Sequence, residues 1–404
     1  MPKSRASSTG DTGFTVAHLT TVDMSLRFLV LAQLRSVLAA GGIAIGISAP
    51  GPWVPELERE GIRHIPLQSS TRARSVRADV RAAFELWRIL RREQIDVLHT
   101  HNPKPGLYGR IVGRLARVPV VVNTVHGLYA TEDDPLPKRV AVYSLEAIAA
   151  RFSDAELLQN PEDLALMRRL HLTSRATLLG NGVDLTRFDP ARFASDQRRA
   201  IRTELGATDD TIVVGTVGRL VAEKGYPELF DAFARLPRDR YTLVVVGADD
   251  PDKPDALDPT IVARAREAGV QLLGQRNDVD ALYAAMDVFV LASHREGFPR
   301  AAMEAAAMGL PIVATDIRGC RQVVDAGRTG LLVPVASAAS LGAAILTLGG
   351  DEERRGAMGR AARSLAEQRF DERQVVHLVF ESYHSVARRK RLRWGDFAVD
   401  HSPR

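Results

Sequence analysis

Two glutamates eight residues apart, Glu296 and Glu304, lie in the stretch SHREGFPRAAMEAAAMGLPIVATD, residues 293–316. At that spacing they flank a point rather than chelate one atom: Glu296 falls in a loop, Glu304 in the second turn of the helix that follows. Pro299 suits the first helical position, where its missing N–H costs nothing, and Gly309 ends the Ala/Met/Glu run. The backbone around Gly297, Phe298 and Pro299 and the first helical turn therefore offers N–H groups and the positive end of a helix dipole, a seat for phosphate. Carboxylates repel phosphate but accept hydrogen bonds from sugar hydroxyls. A ligand with sugar at both ends and diphosphate between them, a nucleotide sugar, matches this order. Two glutamates at this spacing, taken alone, are more often a loop acid and a solvated helix acid.

Two cations strengthen the first reading. Gly218-Arg219 and Lys224-Gly225 follow the apolar run Thr211–Val217, so Arg219 and Lys224 would project into the same crevice and neutralise a diphosphate. Seen in isolation they are as well read as solvated loop residues.

The elements that must position these groups are strands and helices in alternation. Asp287–Ala292 and Leu310–Thr315 read as buried parallel strands on either side of the seat, preceded by strands at 211–219, 241–247 and 270–274. A similar series opens the chain: a strand from Phe14, a helix from about Leu26 to Ala40, and strands at 43–47, 62–66, 95–101 and 119–125. The fourth of these five strands ends in His99 and His101, and the fifth delivers His126. Arg72–Arg92 is a basic amphipathic helix, with seven arginines around Val76, Val80, Phe84, Trp87 and Ile89. Short strands follow at 155–159 and 176–180, and a linker is expected to run to about Arg199. The pattern predicts an α/β protein of two doubly wound Rossmann-like domains facing across a cleft that holds the active site. The domains are placed at 14–190 and 200–370, with a disordered tail over 1–13 and a helix with a basic tail over 371–404. No G-x-G-x-x-G turn follows the first strand.

The 404 residues suffice for two such domains, and 45% hydrophobic with 25% charged residues is the composition of a soluble globular enzyme. One cysteine, Cys320, excludes an internal disulfide framework. The uncharged stretches 36–55 and 329–350 are broken by Gly and Pro and are not expected to span a membrane, nor is a signal peptide expected at the start. The net charge of +5 lacks the interleaved aromatics of a nucleic-acid surface, so nucleic acid is not an expected partner.

Taken together, these motifs resemble those of retaining glycosyltransferases of family 4, which have the GT-B fold. The residues that carry the resemblance are Gly218-Arg219 with Lys224-Gly225, Gly274-Gln275-Arg276 with Asp278, Asp287, the Glu296/Glu304 pair, and Asn181-Gly-Val-Asp with Phe188. The N-terminal half is similar to the bacterial branch that builds surface polysaccharides on lipid carriers, through His99-Thr-His-Asn-Pro-Lys-Pro-Gly and Thr124-Val-His126-Gly. The resemblance implies that Glu296 contacts donor-sugar hydroxyls, Glu304 the ribose, Arg219 and Lys224 the diphosphate, and Arg276 the neighbourhood of the base. It places His126 at the reacting face; a lone histidine at a strand end is more often structural. It also implies no metal cofactor: His99 and His101 show no third ligand in the sequence, and the cations would do the metal's work. One departure is Asp23-Met-Ser-Leu where many relatives carry a Gly-Gly loop.

The expected reaction is transfer of a hexose or N-acetylhexosamine from a nucleotide diphosphate sugar to a polyprenyl-diphosphate-linked acceptor, at the cytoplasmic face of the membrane. The rivals are a nucleotide-sugar-binding subunit without activity and a sugar-nucleotide epimerase of similar shape. The arginine-rich helix and the cations from Arg388 to Trp394 point to peripheral contact with anionic lipid, or else to ordinary packing and a solvated helix end.

Overall fold

The computed structural model describes residues 14–392 except 74, 102, 133, 252 and 254. The polar tail 1–13, Arg74, Asn102 and the basic end from Arg393 lie outside the described residues. The chain forms two compact units, one running to Gly180 and resumed from Val375, the other Asn181–Gln374.

The first unit is built on seven parallel strands, β1 (Thr15–Val22), β2 (Ile43–Ala49), β3 (Arg63–Pro66), β4 (Val97–His101), β5 (Val120–Val125), β6 (Ala155–Leu158) and β7 (Ala176–Leu178). Their order is β3-β2-β1-β4-β5-β6-β7, reversing between β1 and β4. The second unit repeats the plan with β8 (Ile212–Val217), β9 (Tyr241–Val246), β10 (Gln271–Leu272), β11 (Val288–Leu291), β12 (Ile312–Thr315) and β13 (Gly330–Val333), in the order β10-β9-β8-β11-β12-β13. Strands such as β5 are buried along their whole length because helices cover both faces, so they read as apolar runs without alternation. In each sheet the reversal opens a crevice at the carboxyl ends of the central pair.

Several elements differ from the sequence expectation, among them the basic helix, which starts at Val76 instead of Arg72. The helix expected over 26–40 is two helices, Asp23–Leu29 and Leu31–Ala39, because Val30 leaves the helical region at φ −131°. Leu26, Val30, Leu34 and Val37 all remain in one core. The expected linker up to Arg199 is instead part of the second unit: Phe188 is buried in its core, Arg187 and Arg192 pair with Asp280, and Ser195–Glu204 is a helix. Arg202 from that helix reaches Asp287 at 2.9 Å.

The last helix, Glu372–Lys390, does not stand apart. Val375, Val376, Val379, Phe380, Tyr383 and Val386 recur every three or four residues and bury one stripe in a core shared with Phe14, Val16, Val97 and Val120 of the first unit. Lys390 fastens its end, with Nζ 2.6 Å from Asp154 and 2.7 Å from the Pro119 carbonyl.

Candidate functional site

In the second unit the central strands β8 and β11 feed the two loops singled out in the sequence. After β8, Val221 leads into a single turn, Ala222–Lys224, closed by Gly225 at φ +70°. A Cβ on Gly225 would lie 2.0 Å from the Ala292 carbonyl oxygen, so only glycine lets this turn press against the end of β11. That contact sets Lys224 over the second loop. Its Nζ lies 2.5 Å from Oε1 of Glu296, and Ser293 donates to the same oxygen at 2.8 Å. Gly319, after β12, approaches from the other side: its Cβ would meet the Glu296 carbonyl oxygen at 2.6 Å. Glu296 is thus held by side chain and backbone in one place. Tyr226, next to Gly225, donates to the Gly218 carbonyl at 2.6 Å; burial first, and Glu296 second, push its phenol upward.

Arg219 occupies the same end of β8, but its guanidinium turns to Asp250, 2.5 Å away after β9. Sequence reasoning had no sign of that partner. Arg276 forks onto Asp278 with distances of 2.8 and 2.5 Å. Both remain partly solvent-exposed, whereas Glu296 and Glu304 are largely covered.

The helix of the seat begins one residue later than expected. Pro299 has extended backbone (φ −73°, ψ 110°) and occupies the cap position, leaving Arg300–Ala307 as the helix. A proline carries no acceptor on its side chain, so no side chain caps the first turn. The loop is braced from behind: Asn181 donates to the Phe298 carbonyl at 3.4 Å, and the Phe298 ring meets Phe370 edge-on. Glu304 lies one turn on, taking a bond from Arg300 Nε at 3.0 Å and from the Tyr283 hydroxyl at 3.2 Å. Arg300 and Tyr283 were missed, although the four-residue spacing of Arg300 and Glu304 was there to be seen.

His126 belongs to the first unit, immediately after β5. Both its ring nitrogens are engaged, Nε2 with His101 Nδ1 at 3.0 Å and Nδ1 with Gln159 Oε1 at 3.2 Å. The sequence showed no third ligand beside His99 and His101; the sheet supplies one, because β1 and β4 pair with His18 opposite His99. His18, His99 and His101 present nitrogens within 4.8 Å of one another, a donor set of the kind divalent transition metals take. His99 is held by Tyr383 at 2.6 Å and Thr124 at 2.7 Å. Burial keeps all four rings neutral, pulling His18 to about 3 and His126 to about 4, with His99 and His101 also well below the usual range. Asp23, in place of a Gly-Gly loop, is buried and bonds the Met24 and Trp53 amides at 2.8 and 2.7 Å.

Residues 29–187 match the family described as Glycosyltransferase Family 4, and residues 197–365 that described as Glycosyl transferases group 1. The chain is 32% identical over 293 residues to an Escherichia coli UDP-Gal:alpha-D-GlcNAc-diphosphoundecaprenol alpha-1,3-galactosyltransferase, covering 70% of this chain and 73% of that one. It is 26% identical over 309 residues to a Campylobacter jejuni N,N'-diacetylbacillosaminyl-diphospho-undecaprenol alpha-1,3-N-acetylgalactosaminyltransferase, covering 75% and 80%. Among solved structures, sucrose-phosphate synthase from Thermosynechococcus elongatus superposes with a TM-score of 0.80 at 22% identity over 93% of this chain and all of the other. Anabaena HepE in complex with UDP-glucose gives 0.75 at 20% identity, over 92% and 99%. These likenesses bear out the expected GT-B fold.

Proposed function

Because the chain belongs to family 4 of the glycosyltransferases, we propose that it moves a hexose or N-acetylhexosamine, with retention, from a nucleotide diphosphate sugar to a polyprenyl-diphosphate-linked acceptor in surface polysaccharide synthesis. The observation that carries the reading is the Lys224–Glu296 pair set beside an uncapped helix start at the point where strand order reverses. The acceptor class rests on the two relatives whose names specify diphosphoundecaprenol-linked sugars.

In this reading Lys224 and Arg219 exchange their carboxylate partners for the diphosphate, while the N–H groups around Gly297, Phe298 and the first turn after Pro299 receive its oxygens. Glu296, released from Lys224, accepts from hydroxyls of the donor sugar; Glu304 accepts from the ribose, and Arg276 lies by the base. His126 donates from Nδ1 to a sugar hydroxyl that takes the place of Gln159. As the bond from the anomeric carbon to the diphosphate breaks, the acceptor hydroxyl attacks from the same face and its proton passes to the departing phosphate oxygen. Charge growing on that oxygen is what the two cations and the helix dipole stabilise, without a metal cofactor.

Peripheral membrane contact at the cytoplasmic face belongs to the same proposal. Among the described residues no helix is long and apolar enough to cross a membrane. The helix Val76–Glu93 buries Ala82, Leu86, Ile89 and Leu90, yet Val76, Val80 and Phe84 are 79%, 64% and 53% exposed, with Trp87 stacked on Phe84 and Arg88 over the Phe84 ring. A second apolar stripe among arginines, facing solvent, is the pattern that lies in a lipid interface.

The deciding experiment supplies candidate nucleotide sugars with a diphosphoundecaprenol-linked sugar, in the presence of a chelator, and determines the anomeric configuration of the product. Donor turnover only when acceptor is present, with retention, is expected. Epimerised donor without acceptor, or binding without turnover, would replace the reading with one of its rivals.

A further inference from the structure

Three imidazoles and an amide form one hydrogen-bonded line in the first unit. His18 Nδ1 lies 2.9 Å from His101 Nε2, His101 Nδ1 lies 3.0 Å from His126 Nε2, and His126 Nδ1 lies 3.2 Å from Gln159 Oε1. The first two rings are 13° from parallel with centroids 5.1 Å apart, which sets them nearly coplanar and edge to edge. The His101 and His126 rings are tilted by 43° with centroids 5.3 Å apart.

The direction of the line follows from its end. The Gln159 oxygen can only accept, so His126 carries its proton on Nδ1 and turns a bare Nε2 toward His101. His101 must then donate from Nδ1, which leaves its Nε2 to accept from Nδ1–H of His18. The far terminus, His18 Nε2, is buried and has no partner among the described residues. Reversing every proton would place an N–H there with nothing to receive it, and an orphaned buried donor is the more costly of the two outcomes. Neutral rings are required throughout, and burial supplies them.

We propose that His18 and His101 are positioning residues that lock His126 in its Nδ1–H tautomer, the proton position at His126 being fixed jointly by the accepting Gln159 oxygen at one end of the line and the unpartnered His18 Nε2 at the other. Free imidazole side chains in water favour the other tautomer, so the lock is a property of this line. As they stand, His18 Nδ1 and His101 Nε2 bond to each other, so a metal on His18, His99 and His101 would have to break that bond. The functional half of the inference rests on the role given to His126 above.

The test is nitrogen-15 NMR of the full chain labelled at histidine, with His126 assigned through His126→Gln. In the wild type His18, His101 and His126 are expected as Nδ1–H tautomers. His18→Phe, which removes the donor to His101, should return His126 to a mixture. His18→Asn, whose amide N–H takes the place of Nδ1–H, should restore the single tautomer, with kcat lost and regained in parallel at unchanged donor KM. An Nε2–H tautomer or averaging at His126 in the wild type overturns the lock, and this arm stands even where His18→Phe fails to fold. So does a His126 spectrum untouched by His18→Phe, or one equivalent of divalent transition metal in the purified protein. If the tautomer shifts as stated and kcat does not, the lock holds and the catalytic role of His126 falls.

Discussion

The ammonium of Lys224 stands 2.5 Å from the Glu296 carboxylate, across the neighbouring strands β8 and β11, because Gly225 and Gly319 let the loops press together. In the proposed reading each charge is the other's partner until a diphosphate arrives. Lys224→Ala is expected to cut kcat roughly a hundredfold, about 3 kcal/mol of transition-state stabilisation. Glu296→Gln should also lower kcat, and the double variant should lose less than the two losses combined, because each single change leaves a partner unpaired. Steady-state rates of the four proteins check this.

Arg300 fixes Glu304 from the preceding turn. Glu304→Gln is expected to raise donor KM with little change in kcat, and Arg300→Ala to follow it in the same direction by freeing the carboxylate. Donor titrations at saturating acceptor measure both; a fall in kcat at unchanged KM would contradict the assignment to the ribose.

Gly225→Ala places a methyl 2.0 Å from the Ala292 oxygen at φ +70°. The left-handed backbone alone costs roughly 1–2 kcal/mol for a residue with a side chain, before the clash. A lower Tm is expected, together with loss of turnover in whatever fraction remains folded, since Lys224 is carried by the same turn.

Acid should destabilise the first unit in a defined window. His18 at about 3 and His126 at about 4 are depressed from 6.5, so at pH values between, the unfolded chain binds protons that the native one refuses. Their contribution is intact above about pH 6.5 and is lost as pH falls toward the native values, at up to about 1.4 kcal/mol per pH unit for each ring. Proton uptake on unfolding at pH 5, measured by calorimetry in buffers of different ionisation enthalpy, should be reduced by one ring in His18→Asn.

For the lipid contact, sedimentation with anionic vesicles at low salt should retain the wild type, and neutral vesicles or high salt should release it. Val80→Ser with Phe84→Ser should weaken retention without lowering Tm, because both side chains are exposed. Equal binding to both vesicle types removes this part of the reading.

The legible parts of this protein are those written along one strand–loop–helix segment. Lys224-Gly225, Glu296 and Glu304 were found because their spacing from the strands sets which end of the sheet they occupy. Partners contributed by another strand were not: Asp250 for Arg219 follows β9, and His18 joins His99 only through the β1–β4 register. Periodicity shows which residues are buried, not which strand lies beside which. The helix break at Val30 has no glycine or proline to announce it, and the stripe of Glu372–Lys390 reads the same whichever core receives it.

That last helix also fixes an order of events during synthesis. Val379, Phe380 and Tyr383 complete a core whose other members, from Phe14 to Leu179, leave the ribosome long before them. The second unit, Asn181–Gln374, has all its residues while the first still lacks a wall. Phe14, Val16 and Val97 should therefore stay incompletely covered until residues 375–386 emerge, and chains cut short before Val375 should be held by chaperones rather than folded.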